Sequence, residues 1–113
     1  MEPEFRDKRD LFRASGITTS GKSVRIIAKW LPLGASVFDV GSGFGMFVSA
    51  AARAGYKVTA SDLERYTSFE PLVLSDAEKR WTAADTSFDA VTAWQVVEHL
   101  QNPRHFFEET HRV

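Results

Sequence analysis

Residues 36–62, S-V-F-D-V-G-S-G-F-G-M-F-V-S-A-A-A-R-A-G-Y-K-V-T-A-S-D, constrain the fold more than any other stretch. Ser36–Val40 is short, apolar and rich in β-branched or aromatic residues, as a buried strand is. Gly41-Ser42-Gly43-Phe44-Gly45 follows at once, and three glycines in five residues let the backbone turn sharply and let a ligand come close. Met46–Ala54 is alanine-rich and predicts a helix, with Gly55 as its C-terminal stop. Tyr56–Ser61 predicts a second strand, with Asp62 at its carboxyl end. Two parallel strands joined by a helix place the glycine turn and Asp62 on one sheet edge, the edge where ligands bind in such folds.

Asp62 lies about twenty residues beyond the glycine turn, a spacing at which a carboxylate can accept from both hydroxyls of a ribose. A nucleoside cofactor is therefore expected. The dinucleotide fingerprint G-x-G-x-x-G is not satisfied, because Met46 stands where its third glycine belongs. That glycine serves close helix–strand packing beneath a diphosphate, so NAD and FAD are disfavoured.

Further along, Leu72–Glu78 reads as a third strand with an acidic end at Asp76. Phe88–Trp94 reads as a fourth buried strand, and Gln95–Leu100 leaves the sheet at its carboxyl edge. Asn102 caps a helix that has Pro103 at its first position, with Phe106, Thr110 and Val113 on one face. Only Leu63–Pro71 separates Asp62 from the third strand. Nine residues are short for a parallel crossover, so a reduced helix or an extended loop is expected there. Trp81, in the loop 79–87, either covers a bound base or plugs the edge of the core, and the second use is the expected one.

D-V-G-S-G-F-G resembles the first motif of class I S-adenosylmethionine-dependent methyltransferases. The segments 72–78 and 87–113, including Glu98-His99-Leu100 and Asn102-Pro103, are similar to that family's third strand, fourth strand and following helix. The resemblance covers roughly residues 33–113. It implies an α/β, Rossmann-like, doubly wound parallel sheet with strand order 3-2-1-4, the family's later strands missing. On this reading residues 1–34 are N-terminal helices over the core, and 35–113 are the incomplete cofactor-binding domain, the N-terminal half of the family's unit.

The implied cofactor is S-adenosyl-L-methionine. Gly41, Ser42 and Gly43 would line its methionine and ribose portions, Asp39 would orient the ammonium end, and Asp62 would hold the ribose hydroxyls. Asp76 would accept from the adenine amino group while the Ala77 N–H meets the ring, and the backbone of Ala93 and Trp94 would face the methionine portion. Glu98 and His99 are the candidates for acid–base chemistry, histidine being the side chain suited to deprotonate a hydroxyl near neutral pH. Relatives with E-x-x-E-H here bind a divalent metal, but this chain has Gln95 in place of the first glutamate and no metal is expected. The implied acceptor is a small molecule, such as a quinone precursor or a sugar. A non-catalytic cofactor-binding module is the alternative.

Ahead of this unit, Glu4–Ala14 and Lys22–Leu31 predict helices, the second with Val24, Ile27, Ala28 and Leu31 as its apolar stripe and Pro32 as its stop. Gly16–Ser23 formally matches the phosphate-loop pattern G-x-x-x-x-G-K-[ST], but the charged run before Gly16 is no buried strand, so a nucleotide triphosphate binder is the remote alternative. A formal net charge of −1 leaves no basic footprint for nucleic acid. With no cysteine there is neither a disulfide framework nor a thiolate site. The charged N-terminus is neither a signal peptide nor a membrane span, which makes the cytoplasm the default compartment. An apolar fourth strand left at a sheet edge is a template for pairing, so a homodimer or strand-swapped assembly is expected.

Overall fold

A computed structural model describes residues 19–113. The predicted helix over 4–14 and Gly16 of the phosphate-loop pattern lie outside the described residues. The order of elements is α1 (Thr19–Ala28), β1 (Ser36–Val40), α2 (Met46–Ala54), β2 (Lys57–Asp62), β3 (Leu72–Leu74), β4 (Ala90–Ala93), a single 3-10 turn at Val97–His99, and α3 (Pro103–Arg112).

The four strands form one parallel sheet of order β3-β2-β1-β4. Register runs Val37↔Val58 and Val40↔Ser61 on one side of β1, and Asp39↔Thr92 on the other. Alternation along the strands feeds two cores. Val37, Val58 and Ala60 pack with Ile27 of α1 and Phe47, Val48 and Ala51 of α2. Phe38 and Val40 face the opposite side, against Trp81, Phe106 and Val113. A sheet covered on both faces explains why β1 is buried at nearly every position.

Helix α1 and strands β2, β3 and β4 differ from their expected bounds, β2 running Lys57–Asp62 and β3 only Leu72–Leu74, whereas the stretch before β3 is the extended loop that is one of the two expected alternatives. Helix α1 begins earlier and ends at Ala28, which is exposed; Ile27, Val24 and Leu31 still reach the core. Pro32 disfavours helical backbone at the residue before it, and the Leu31 carbonyl instead accepts from the Tyr56 hydroxyl at 3.0 Å. Strand β4 covers only Ala90–Ala93, because Phe88 N–H bonds to the Val113 carbonyl and Trp94 already belongs to the turn. The stretch between Asp62 and Leu72 holds no helix. It is an extended loop in which the Arg65 guanidinium donates to the Thr67 and Phe69 carbonyls while Phe69 packs on the core. Nine extended residues suffice for the crossover because β3 is only three residues long.

Helix α3 starts where its local signals place it, with the Asn102 side chain accepting from His105 N–H and Pro103 in the first turn. Its far end clamps the loop 79–87. Arg112 donates to the carbonyls of Trp81 and Ala83 and pairs with Glu109 and Asp85, and Glu109 accepts from Trp81 N–H at 2.8 Å. Trp81 is 2% exposed, so it plugs the core edge. The guanidinium beside Glu109 holds that carboxyl down at about 2.

Candidate cofactor site at the carboxyl edge of the sheet

Every site residue expected from the sequence lies at the carboxyl end of a strand or in the segment that follows it. Gly41 sits at φ 73°, and a Cβ there would come within 2.8 Å of Val96 Cγ2. The turn after β1 thus abuts the segment after β4, and only glycine combines that approach with that backbone. Gly45, which caps α2, is similar: φ is 84° and a Cβ would meet Thr67.

The turn is fastened to the tip of β2. Gly41 N–H and Ser42 N–H both donate to the Ser61 carbonyl at 2.9 Å, and Ser61 N–H donates to Ser42 Oγ. Asp62 completes the contact, its Oδ2 accepting from Gly43 N–H at 2.8 Å and its Oδ1 from Leu63 N–H. The tips of β1 and β2 therefore converge, as the nucleoside reading requires.

Asp39 is 2% exposed and occupies the floor of the turn. Its Oδ1 accepts from Thr92 Oγ1 at 2.7 Å and its Oδ2 from Ser42 Oγ at 2.9 Å. Burial pushes its carboxyl up to about 6, against the two hydroxyls that favour the ionised form, and the negative charge of Asp62 adds to the rise.

Two clefts open on this edge. The first, about 300 Å³, is lined by Gly41, Asp62, Leu63, Ser75, Asp76, Ala77, Glu78, Gln95, Val96, His99 and others. The second, about 370 Å³, is lined by Ser23, Asp39, Gly41, Ser42, Phe44, Met46, Phe47, Trp94 and Gln95. Both reach the size of small-molecule sites, and Gly41 and Gln95 line both.

The first cleft brings Asp62, Asp76, Ala77 and His99 together, and the second brings Asp39, Ser42 and Trp94 together. Gly43 lines neither and acts through its N–H on Asp62. Glu98 is exposed and also lines neither. Lys22 of the phosphate-loop pattern is exposed on α1 and lines neither, whereas Ser23 of the same pattern lines the second. Asp76 Oδ1 accepts from Glu78 N–H, and the Ala77 carbonyl accepts from Trp81 Nε1, so the wall of the first cleft is tied to the buried tryptophan.

Two residues gain a place that the motifs did not give them. Glu78 accepts from the N–H groups of Gln101 and Asn102, bracing one wall of the first cleft against the start of α3. Its acidity beside Asp76 was visible, but its partners more than twenty residues away were not. Gln95 has φ 58°, uncommon for a residue with a side chain. Its departure from the expected glutamate was the available signal.

A family model described as "Methyltransferase domain" matches residues 38–113. The ubiquinone biosynthesis O-methyltransferase of Xanthomonas axonopodis pv. citri (strain 306) is 37% identical over 90 residues, covering 69% of this chain and 38% of that protein. The mitochondrial ubiquinone biosynthesis O-methyltransferase of Schizosaccharomyces pombe is 30% identical over 86 residues, covering 65% of this chain and 31% of that protein. Among solved structures, a protein of Anabaena variabilis ATCC 29413 assigned as a methyltransferase of an antibiotic biosynthesis pathway superposes with a TM-score of 0.73 at 25% identity, over 81% of this chain and 40% of that one. The chain thus spans 38% or less of the length of these two curated relatives.

Proposed function

The chain belongs to the class I S-adenosylmethionine-dependent methyltransferase family, and from that premise we propose that it binds S-adenosyl-L-methionine across the two clefts and serves methyl transfer to a small-molecule acceptor. The observation that carries this reading is the junction of Asp62 with the glycine turn on the wall of an open cleft. A carboxylate there can take both ribose hydroxyls, with Asp76 and the Ala77 N–H left for the base. The second cleft takes the amino-acid half, above Asp39 and Ser42 and beside Trp94. Residues 35–113 form the cofactor-binding unit, and α1 (Thr19–Ala28) lies over its core through Ile27.

When bound, the cofactor supplies a methyl group already activated on a sulfonium, so positioning is the chief demand on the protein. The exposed rings of Phe44 and Tyr66 meet edge-on with centroids 6.3 Å apart, and Met46 lies next to Phe44 on the second cleft. This aromatic lip suits a flat ring. With the relatives named O-methyltransferases, a ring hydroxyl is the acceptor we favour. His99, exposed on the first cleft, is our candidate to take the acceptor's proton, a role that requires the acceptor hydroxyl to sit where the two clefts meet, and the exposed Glu98 is its neighbour in sequence. A His99→Asn variant should lose turnover, and an unchanged rate removes His99 from that role.

Among the described residues no helix is long and apolar enough to cross a membrane. Self-association through the β4 edge belongs to the same proposal, and a monomer in sedimentation at high concentration removes it.

Titration calorimetry tests the cofactor. S-adenosylhomocysteine and adenosylmethionine should bind and ATP should not. Asp62→Ala should weaken binding about tenfold or more, the usual worth of hydrogen bonds to a charged group. No binding of either nucleoside, or an Asp62→Ala variant with unchanged affinity, refutes the assignment.

A further inference from the structure

Among the described residues, Gln95 is the only side chain common to both clefts; the other shared residue, Gly41, has none. This placement matters because of how the cofactor is built. Its sulfonium joins the ribose to the amino-acid chain, so a molecule with its nucleoside in the first cleft and its amino acid in the second carries that cation where the clefts meet. On this basis, which rests on the cofactor reading above, we infer that Gln95 is a specificity residue: its amide oxygen faces the sulfonium and favours the cationic cofactor over the neutral product left after methyl transfer.

Three features support this. Gln95 is exposed, so its amide is not consumed by the core. Its backbone is held at φ 58°, a conformation that costs a residue with a Cβ and is found where surrounding structure fixes a side chain in place. The neighbouring segment supplies that fixing: Val96 packs against Gly41, and Val96 and Val97 accept the N–H groups of His99 and Leu100. The nearby carboxylates each hold the turn, Asp39 through Thr92 and Ser42 and Asp62 through Gly43 and Leu63, and on the cofactor reading their remaining acceptor capacity serves the ammonium end and the ribose rather than the sulfonium. A neutral amide also does what a carboxylate would do less well. Its oxygen can approach a cation, yet it does not hold so tightly that the product and the next cofactor cannot exchange.

The test is the ratio of affinities for adenosylmethionine and S-adenosylhomocysteine, measured by calorimetry on the whole chain. Sinefungin, with a cationic amine at the sulfonium position, is the non-reacting cationic probe. Gln95→Met keeps the length and removes the amide. Gln95→Gly removes the amide and relieves the positive φ, so it folds even where the methionine variant does not. Both should lower the preference for the two cationic ligands by roughly five- to tenfold. Gln95→Glu should raise it. A merely structural role would move all three affinities together and leave the ratio alone. A ratio changed less than threefold in Gln95→Gly overturns the inference, as does a glutamate variant that does not gain preference for the cations. If the unaltered chain binds none of the three ligands, the cofactor reading itself fails, a result distinct from a flat ratio.

Discussion

Replacing Asp39 by asparagine separates what this buried carboxylate does for the fold from what it does for a ligand. Burial pushes its carboxyl from the ordinary 3.8 to about 6. The unfolded chain therefore gives up the Asp39 proton at lower pH than the folded chain does. Its contribution to stability is fully present below about pH 4 and is lost as pH rises through about 6. A rise of roughly two units corresponds to about 3 kcal/mol by pH 7. Asparagine removes that cost and can keep the geometry. Its Oδ1 accepts from Thr92 Oγ1, and its Nδ2 donates to Ser42 Oγ, whose own proton can turn to the Asp39 carbonyl at 3.2 Å. Trading hydrogen bonds to a charged group for neutral ones costs about 1 kcal/mol.

Asp39→Asn should then be more stable than the parent by about 1–2 kcal/mol at pH 7. The gain should vanish toward pH 4. Urea unfolding at four or five pH values reads both. Calorimetry with S-adenosylhomocysteine on the same protein should show weaker binding, since the second cleft loses its negative floor beneath the ammonium group. Stability profiles that run parallel between pH 4 and 7 would refute the reasoning, because they would mean that burial does not raise the carboxyl above its ordinary value.

Gly41→Ala should destabilise the chain by roughly 1–2 kcal/mol from its left-handed backbone, and by more through the approach to Val96; Val96→Ala in the same chain should recover only the second part in thermal melts. The Glu109 carboxyl, held at about 2 by Arg112, contributes stability above its ordinary value near 4.5 and loses it as pH falls toward 2. At the edge of the core, with solvent screening allowed for, this is worth about 1–2 kcal/mol, and Glu109→Gln should remove the extra sensitivity of the melting temperature to acid. Trp81→Ala should cost about 3–5 kcal/mol in urea unfolding and also weaken binding in the first cleft, because Trp81 Nε1 holds the Ala77 carbonyl.

Residues 36–62 were readable almost to the residue because everything that sets them is local. An apolar strand, a run of glycines, an alanine-rich helix and its glycine stop each act within a few positions. The cap of α3 by Asn102 and Pro103 was legible for the same reason. From these, with the order of elements, came the parallel sheet and the edge on which Asp39, Asp62, Asp76 and Trp94 gather.

Contacts between distant segments were decided only on folding. Asp39 and Thr92 are 53 residues apart, and nothing in either neighbourhood announces that the Thr92 hydroxyl donates to the Asp39 carboxylate. The same holds for Val96 against Gly41, for Glu78 reaching the amides of 101 and 102, and for Arg112 closing on the Trp81 loop. Sequence periodicity reports which face of an element is apolar. It does not report which partner that face meets, and the division of the ligand edge into two clefts joined at Gln95 depends on those partners alone.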